Sequence, residues 1–247
     1  MIEVGSNNRV WSIDTNTLVP YLIQKGDILP LLGEHYNISE EFHNVYFQRY
    51  NSSINFVEGV INNKKQPFRG PSRDEFFISY LALNEAFSAI REEIRCVIQF
   101  SEGFPISKWN LRRNTVPIPE PIGKEVYERV MGVFEVLLYS KIIEPLSDEP
   151  EQNGDYFSDI LSSILFNIPK TETQDVILLT TAILNNADYF VTRDERLIKA
   201  ARDVLLQEYD LKLLTPQDGE SVLKTIRKRG KPAHCYLTKR HLHRPTS

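Results

Sequence analysis

The chain has 247 residues, of which 41% are hydrophobic and 25% are charged, and these are the proportions of an ordinary globular protein. Its two cysteines, Cys96 and Cys235, are too few for a disulfide framework and favour a reducing compartment. The amino terminus lacks the pattern of a signal peptide, and no apolar run has the length of a membrane-spanning helix. We therefore expect a cytoplasmic protein that has no membrane partner.

The net charge of −4 hides an uneven distribution. Residues 221–247 contain eight Lys and Arg and no acid, which leaves 21 basic and 33 acidic residues in 1–220. An acidic body with a basic segment is the distribution expected of a carboxylate-rich site with a separate element that attracts phosphate. A solubilising tail is the alternative interpretation of the same charges.

The first predicted elements are a strand, a helix and an irregular helical stretch. Residues 9–13 (RVWSI) are β-prone and are followed by Asp14, after which 15–24 (TNTLVPYLIQ) have the apolar spacing of a turn that enters a helix. From about 26 to 73 the pattern is helical but irregular, and it ends in a loop.

The remainder of the chain alternates helical and extended patterns. It predicts, in order, a strand at 75–79, a helix at about 80–99, a loop at 103–123, a helix at 123–140, a strand at 141–146, a helix at 156–166, a helix up to about 186, a strand at 188–192, a helix within 193–209 and a strand at 211–215. Thr171 and Gln174 have the spacing of a capping box for the helix that ends near 186. Strands that alternate with helices predict right-handed crossovers and a parallel sheet covered on both faces.

The predicted fold class is therefore α/β. We expect a three-layer α/β/α sandwich around a central parallel sheet of about five strands, formed by residues 1–220. Within this domain, residues at about 26–73 and 100–138 are interpreted as insertions that add helices. Residues 221–247 form the basic C-terminal tail.

Four acids occupy positions where a carboxylate needs a partner. Asp14 and Asp194 follow predicted parallel strands, at the sheet edge where α/β proteins bind ligands. Glu85 and Asp175 interrupt the apolar faces of helices that pack on the sheet. Because crowded carboxylates in such surroundings repel one another, they require either protons or a cation. Oxygen donors without His or Cys favour Mg²⁺ or Mn²⁺ over zinc.

A divalent cation held by carboxylates supports phosphodiester hydrolysis, because it polarises a phosphoryl oxygen, activates water and steadies the leaving oxygen. Each acid also has a simpler explanation. Asp14 could be a helix N-cap, Glu85 the partner of a distant arginine, Asp175 a favourable charge at a helix N-terminus and Asp194 an ordinary turn residue. The joint occurrence of all four favours the metal site.

The same residues carry a resemblance to the PIN domain nucleases, a family that includes the toxins of many toxin–antitoxin pairs. The segment 13–19 (IDTNTLV) resembles the opening motif of the family, and 77–85 (FISYLALNE) resembles its second motif. The strongest similarity is in 175–198 (DVILLTTAILNNADYFVTRDERLI), in which Asp175 and Asp194 stand 19 positions apart. The segment 211–216 (LKLLTP) is similar to the final strand. This chain is longer than many toxin members because of its two insertions.

The resemblance implies a metal-dependent endoribonuclease that prefers single-stranded RNA, with DNA as an open alternative. Asp14, Glu85, Asp175 and Asp194 would be catalytic residues and metal ligands for Mg²⁺ or Mn²⁺, supported by Asn16 and Thr192. A homodimer is implied as the default assembly, and an antitoxin protein as a further partner. We expect basic and aromatic side chains to follow the nucleic-acid backbone: Lys108, Trp109, Arg112, Arg113, Arg227, Lys228 and Arg229.

Other functions are weakly represented in the sequence. A haloacid-dehalogenase-like phosphatase needs a second Asp two residues after the first, and this chain has Asn16 there. The glycine motifs of nucleotide-binding Rossmann and P-loop proteins do not occur. Cys235 and its neighbouring histidines lack the paired spacing of a zinc site. The principal alternative is a binding or scaffold protein that keeps the nuclease fold without its chemistry.

Overall fold

The computed structural model describes residues 9–65, 74–108, 115–146, 154–169 and 171–229. Within these ranges five strands form one sheet: β1 (Val10–Ile13), β2 (Glu75–Ser79), β3 (Glu144–Leu146), β4 (Tyr189–Val191) and β5 (Lys212–Leu214). The strand order is β3-β2-β1-β4-β5, and every adjacent pair is parallel. The prediction of a parallel sheet with about five strands is confirmed.

Ten α-helices are present in the described part of the chain: α1 (Thr15–Lys25), α2 (Ile28–Tyr36), α3 (Glu40–Arg49), α4 (Asn51–Lys64), α5 (Tyr80–Ser101), α6 (Glu120–Tyr139), α7 (Gly154–Asn167), α8 (Thr173–Leu184), α9 (Glu195–Tyr209) and α10 (Pro216–Arg229). The predicted first insertion, about 26–73, contains α2, α3 and α4. The second, about 100–138, contains a short 3₁₀ turn (Ile106–Lys108) and most of α6.

The helices fall into two layers. Helix α1 contacts α4, α5 and α6, and α4 contacts α10, whereas α7 contacts α8. The chain moves from β1 through β2 to β3 towards one side of the sheet, and from β4 to β5 towards the other. Because such crossovers are right-handed, the two sets of connecting helices lie on opposite faces. The result is the expected α/β/α sandwich. No helix in the described ranges is long and apolar enough to cross a membrane.

Aromatic packing on the sheet fixes the alignment of the three central strands. Trp11 is fully buried and is in register with Phe76 on β2 and with Tyr189 on β4. Its ring stacks on both of them, with ring centroids 5.7 Å from Phe76 and 4.2 Å from Tyr189. Cross-strand pairs of this kind specify register. The same register pairs Ile13 with Val191, so the residues that follow β1 and β4 lie side by side.

The last described helix crosses residue 220, where the sequence analysis placed the start of the basic tail. Leu223 of α10 is buried, and α10 packs on α4. Gly219 permits this close approach, because a Cβ atom there would lie 2.8 Å from the ring of Phe56. The first part of the basic segment is therefore packed against the domain.

One local prediction is wrong. The predicted capping box at Thr171 and Gln174 does not form, because Glu172 is the N-cap of α8 and its side chain makes no capping hydrogen bond. The hydroxyl of Thr171 instead donates to the carbonyl of Ile168, 3.0 Å away. The hydroxyl thus bonds to the turn between α7 and α8 and does not cap α8.

Candidate active site

The strand order reverses between β1 and β4, and both strands end at the same edge of the sheet. This reversal opens the crevice in which open α/β sheets bind ligands. Asp14 follows β1 directly, and its backbone N–H donates to the carbonyl of Val191 at 3.0 Å. Thr192, Arg193 and Asp194 follow β4 at the same edge. The parallel register therefore brings two of the predicted acids into neighbouring loops.

Asp14 is the most deeply buried of the four acids, with 6% of its surface exposed. It occupies the N-cap position of α1, but its side chain makes no capping hydrogen bond, so the simple helix-cap explanation does not account for it. Its Oδ2 accepts a 2.6 Å hydrogen bond from the hydroxyl of Thr192. Burial raises the pKa of Asp14 to about 7, and the charges of Asp175 and Glu85 act in the same direction while Thr192 opposes it.

Asp194 is the N-cap of α9 and uses only one of its two carboxylate oxygens for this purpose. Its Oδ1 accepts from the backbone N–H groups of Arg196 at 2.8 Å and Leu197 at 3.0 Å, so the carboxylate caps the helix. Both capping bonds go to the same oxygen. Among the described residues, Oδ2 accepts no hydrogen bond and is the oxygen that a ligand could use.

Glu85 and Asp175 approach the same edge on helices. Helix α5 begins where β2 ends, and Glu85 lies in its second turn, where its Oε2 accepts from the hydroxyl of Thr15 at 3.4 Å. Asp175 lies in the first turn of α8, as predicted. The pKa of Asp175 is raised to about 6, first by burial and then by the negative charges of Asp194, Glu172 and Glu85.

These electrostatic effects connect all four acids. Asp14 responds to the charges of Glu85 and Asp175, and Asp175 responds to those of Asp194 and Glu85. Within the described ranges, no three acid, histidine or cysteine side chains are already gathered around a point that could hold a metal ion. The four carboxylates are neighbours that repel one another rather than a closed coordination shell.

Thr192 and Asn16 tie the two loops together. The Thr192 oxygen accepts from Asn16 Nδ2 at 3.1 Å and from the backbone N–H of Asp194 at 3.0 Å, while its own proton goes to Asp14. Asn16 Oδ1 accepts from the backbone N–H of Arg193 at 2.8 Å. Each predicted supporting residue therefore acts across the crevice: Asn16 of the first loop holds the last loop, and Thr192 of the last loop holds the first acid.

Two neighbouring threonines were not singled out in the sequence. Thr15 donates to the carbonyl of Ala82 at 2.9 Å and towards Glu85, so it connects α1 to α5. Thr17 donates to the carbonyl of Val191 at 3.2 Å. The run of hydroxyl and amide side chains directly after Asp14 was the available signal, because polar side chains that enter a buried crevice need partners there.

The predicted nucleic-acid-binding residues are only partly described. Lys108 is exposed at the end of the 3₁₀ turn. Trp109, Arg112 and Arg113 lie outside the described residues. The backbone positions of 227–229 form the last turn of α10, but the side chains of Arg227, Lys228 and Arg229 are outside the described part as well.

The donor set suits a hard divalent cation. Asp14, Glu85, Asp175 and Asp194 offer carboxylate oxygen only, which Mg²⁺ and Mn²⁺ accept readily. The raised pKa values of Asp14 and Asp175 show that negative charge is disfavoured at this edge when no cation is present. A cation would relieve that cost, so the residues fit a metal of this class.

Removal of the Thr192 hydroxyl should weaken both the fold and the site. In Thr192→Val, Asp14 loses a donor, while Asn16 and the Asp194 backbone lose an acceptor, and we expect a loss of about 2–3 kcal/mol in the free energy of unfolding. The pKa of Asp14 rises further, which should weaken Mn²⁺ binding by roughly 10–100-fold. Denaturant unfolding and Mn²⁺ titration measure the two effects. Thr192→Ser keeps the hydroxyl and should retain most of the stability and most of the Mn²⁺ affinity. If Thr192→Ser and Thr192→Val lost both to the same extent, the hydroxyl would not have this role.

The fold and the site together define an α/β/α protein in which four carboxylates at the topological switch point are electrostatically coupled. Comparisons with protein-family models, with curated proteins and with solved structures gave no match.

Proposed function

We propose that the protein is a metal-dependent nuclease that hydrolyses phosphodiester bonds, with Asp14, Glu85, Asp175 and Asp194 as ligands of Mg²⁺ or Mn²⁺. The observation that carries this proposal is the electrostatic coupling of four carboxylates at the switch point, where burial and mutual repulsion raise the pKa of Asp14 to about 7. A scaffold would gain nothing from a deeply buried carboxylate such as Asp14, since burial of a negative charge without a cation destabilises a fold.

The residues of the site would contribute to metal binding in different ways. Asp14 and Asp175 have pKa values of about 7 and about 6, so they would ionise readily near neutral pH in the presence of a bound cation, whose charge favours the carboxylate form despite burial. Thr192 keeps the Asp14 side chain in place, and the two backbone bonds of Asp194 fix the orientation of that carboxylate. When bound, a divalent ion supplies Lewis acidity towards a phosphoryl oxygen and lowers the pKa of water.

The proposed substrate is single-stranded RNA. This part of the proposal is supported by the similarity of 13–19, 77–85 and 175–198 to the motifs of the PIN nucleases. The same similarity is the sole support for a homodimer and for an antitoxin partner, and DNA remains the alternative substrate.

Cleavage of an end-labelled single-stranded RNA tests the function. We expect fragments in the presence of Mn²⁺ or Mg²⁺ and none in EDTA, and a single-stranded DNA of the same sequence identifies the preferred polymer. If no cleavage occurs with either metal, and neither metal raises the melting temperature, the four acids do not form a working site.

The second candidate function is a binding scaffold on the same fold. One observation favours it: among the described residues no three potential ligands stand ready around a common point. The scaffold predicts RNA or protein binding that is unaffected by divalent metal and by neutral substitution of Asp14. The nuclease predicts sensitivity to both.

The basic segment should contribute to RNA binding through charge. Three of its cations, Arg227, Lys228 and Arg229, lie at the end of α10, so they can be replaced by Gln without removing any chain. If all three neutralise phosphates, the slope of log K against log salt becomes shallower by about 2, at about 0.7 per contact. Fluorescence anisotropy in EDTA at several salt concentrations measures this slope, and Lys199→Gln on α9 is a single-charge comparison. An unchanged slope would remove the segment from the interface.

A further inference from the structure

A cluster of polar and aromatic residues joins the first insertion to the candidate active site. Tyr46 of α3 donates its hydroxyl to Glu93 Oε2 at 3.0 Å, and Tyr50, between α3 and α4, donates to Glu93 Oε1 at 3.3 Å. Both tyrosines are buried, with 9% and 4% of their surfaces exposed, and their rings lie 4.7 Å apart. The carboxylate of Glu93 on α5 therefore anchors two rigid rings by their hydroxyl groups.

The Tyr50 ring supports a cation that belongs to the loop of the acids. The guanidinium of Arg193 lies over this ring, 4.1 Å from its centroid. Arg193 stands between Thr192 and Asp194, and Asn16 accepts from it twice, through Oδ1 from the backbone N–H and through the carbonyl from the side chain at 3.5 Å. Arg193 is thus held from three directions.

Among the described residues, Arg193 forms no ion pair, because no carboxylate oxygen lies within ion-pairing distance of its guanidinium. Asp194 is nevertheless its neighbour in the chain, and the Tyr50 beneath it is hydrogen-bonded to Glu93. The side chain is only partly exposed. A guanidinium that lies over an aromatic ring can still donate from its edge N–H groups, and those that Asn16 does not accept match the geometry of phosphate oxygens.

We propose that Arg193 binds a backbone phosphate of the substrate next to the cleavage site, and that Tyr50 of the first insertion is the residue that positions it. This inference rests on the proposed nuclease function and adds a phosphate-binding residue to it. The insertion that contains α2, α3 and α4 then has a definite purpose: it brings an aromatic platform to the rim of the crevice. The acids hold the cation, and Arg193 offsets their negative charge where a polyanion must approach.

Binding of a labelled single-stranded oligoribonucleotide in EDTA tests the role without cleavage. Arg193→Gln should weaken binding by roughly tenfold and make the salt slope shallower by about 0.7, the value for one lost contact with a single strand. Tyr50→Phe keeps the ring and should bind nearly as wild type does. Tyr50→Leu removes the platform, and its affinity for RNA should lie between those of wild type and Arg193→Gln. The rise in melting temperature that Mn²⁺ induces should be the same in Tyr50→Leu as in wild type. A purely structural role of Arg193 would leave the salt slope unchanged.

The outcomes separate this inference from the proposed function. If wild type binds RNA but Arg193→Gln binds it with the same affinity and slope, the inference is wrong and the nuclease proposal stands. If Tyr50→Phe weakens binding as much as Tyr50→Leu, the hydroxyl rather than the ring is responsible, and the platform is wrong. If RNA binds with the expected Arg193 dependence but is never cleaved with Mn²⁺, the nuclease proposal fails and the phosphate site survives. If wild type binds no RNA, the phosphate site is wrong as well.

Discussion

Asp14→Asn and Asp194→Asn should each reduce metal-dependent RNA cleavage by about 1,000-fold or more. Each substitution removes one anionic ligand from a site whose metal provides several kcal/mol of transition-state stabilisation, and each 1.4 kcal/mol corresponds to about a factor of ten in rate. Single-turnover cleavage of a labelled oligoribonucleotide in Mn²⁺ measures the effect.

The Asp194 substitution is designed to separate catalysis from folding. Asp194 caps α9 through Oδ1, and Asn is about as good an N-cap as Asp. The free energy of unfolding of Asp194→Asn should therefore lie within about 1 kcal/mol of the wild-type value, although the variant loses its activity. Asp203→Asn is the matched control, because Asp203 is an exposed acid on the same helix. If the Asp203 and Asp194 variants cleave equally well, Asp194 is not a ligand and serves only as a cap.

Asp14→Asn should stabilise the metal-free protein at pH 8. Burial raises the pKa of Asp14 to about 7, so at pH 8 the folded chain carries a buried negative charge that the unfolded chain places in water. A shift from 3.8 to about 7 corresponds to about 4 kcal/mol at 1.36 kcal/mol per pKa unit. The new amide has one N–H pair to satisfy, which returns about 1–3 kcal/mol. The net gain of about 1–3 kcal/mol raises the melting temperature in EDTA by roughly 2–12 °C, at about 2–4 °C per kcal/mol for a chain of this size.

The stability difference between the wild type and Asp14→Asn should depend on pH, because the pKa of Asp14 differs between the folded and the unfolded state. Between about pH 4 and pH 7 the folded state retains the Asp14 proton that the unfolded state has released, so the wild type loses stability as pH rises and levels off above 7. Asp14→Asn lacks the pH dependence of stability that Asp14 contributes, so its stability advantage over the wild type should disappear towards pH 4. Melting curves in EDTA from pH 4 to pH 8 measure both proteins.

Added Mn²⁺ should make the wild type melt at a higher temperature than Asp14→Asn at pH 8. Only the wild type offers the charged ligand, and metal binding stabilises the folded state. Asp203→Asn should follow the wild type under both conditions. A variant that melts below the wild type in EDTA at pH 8 would show that Asp14 carries no buried charge there.

Much of the architecture followed from local patterns in the sequence. The alternation of short apolar strands with amphipathic helices predicted the parallel α/β/α sandwich, because buried parallel strands need helical crossovers on both faces. Helix α5 was predicted almost to its observed ends because its apolar spacing is regular over six turns. The capping box at Thr171 failed because that hydroxyl donates to the carbonyl of Ile168, three positions earlier, which is a local alternative that the spacing of Thr171 and Gln174 does not reveal.

The candidate site divides in the same way. The sequence by itself singled out Asp14, Glu85, Asp175 and Asp194, because a carboxylate after a parallel strand or on an apolar helix face is conspicuous without any coordinates. It also named Asn16 and Thr192 as supports. Only the tertiary structure decided what these two residues hold, because each bonds across the crevice to a loop more than 170 positions away. The Tyr50 platform beneath Arg193 likewise depends on how the first insertion packs against α5, and side chains 143 positions apart leave no periodic signal in a sequence.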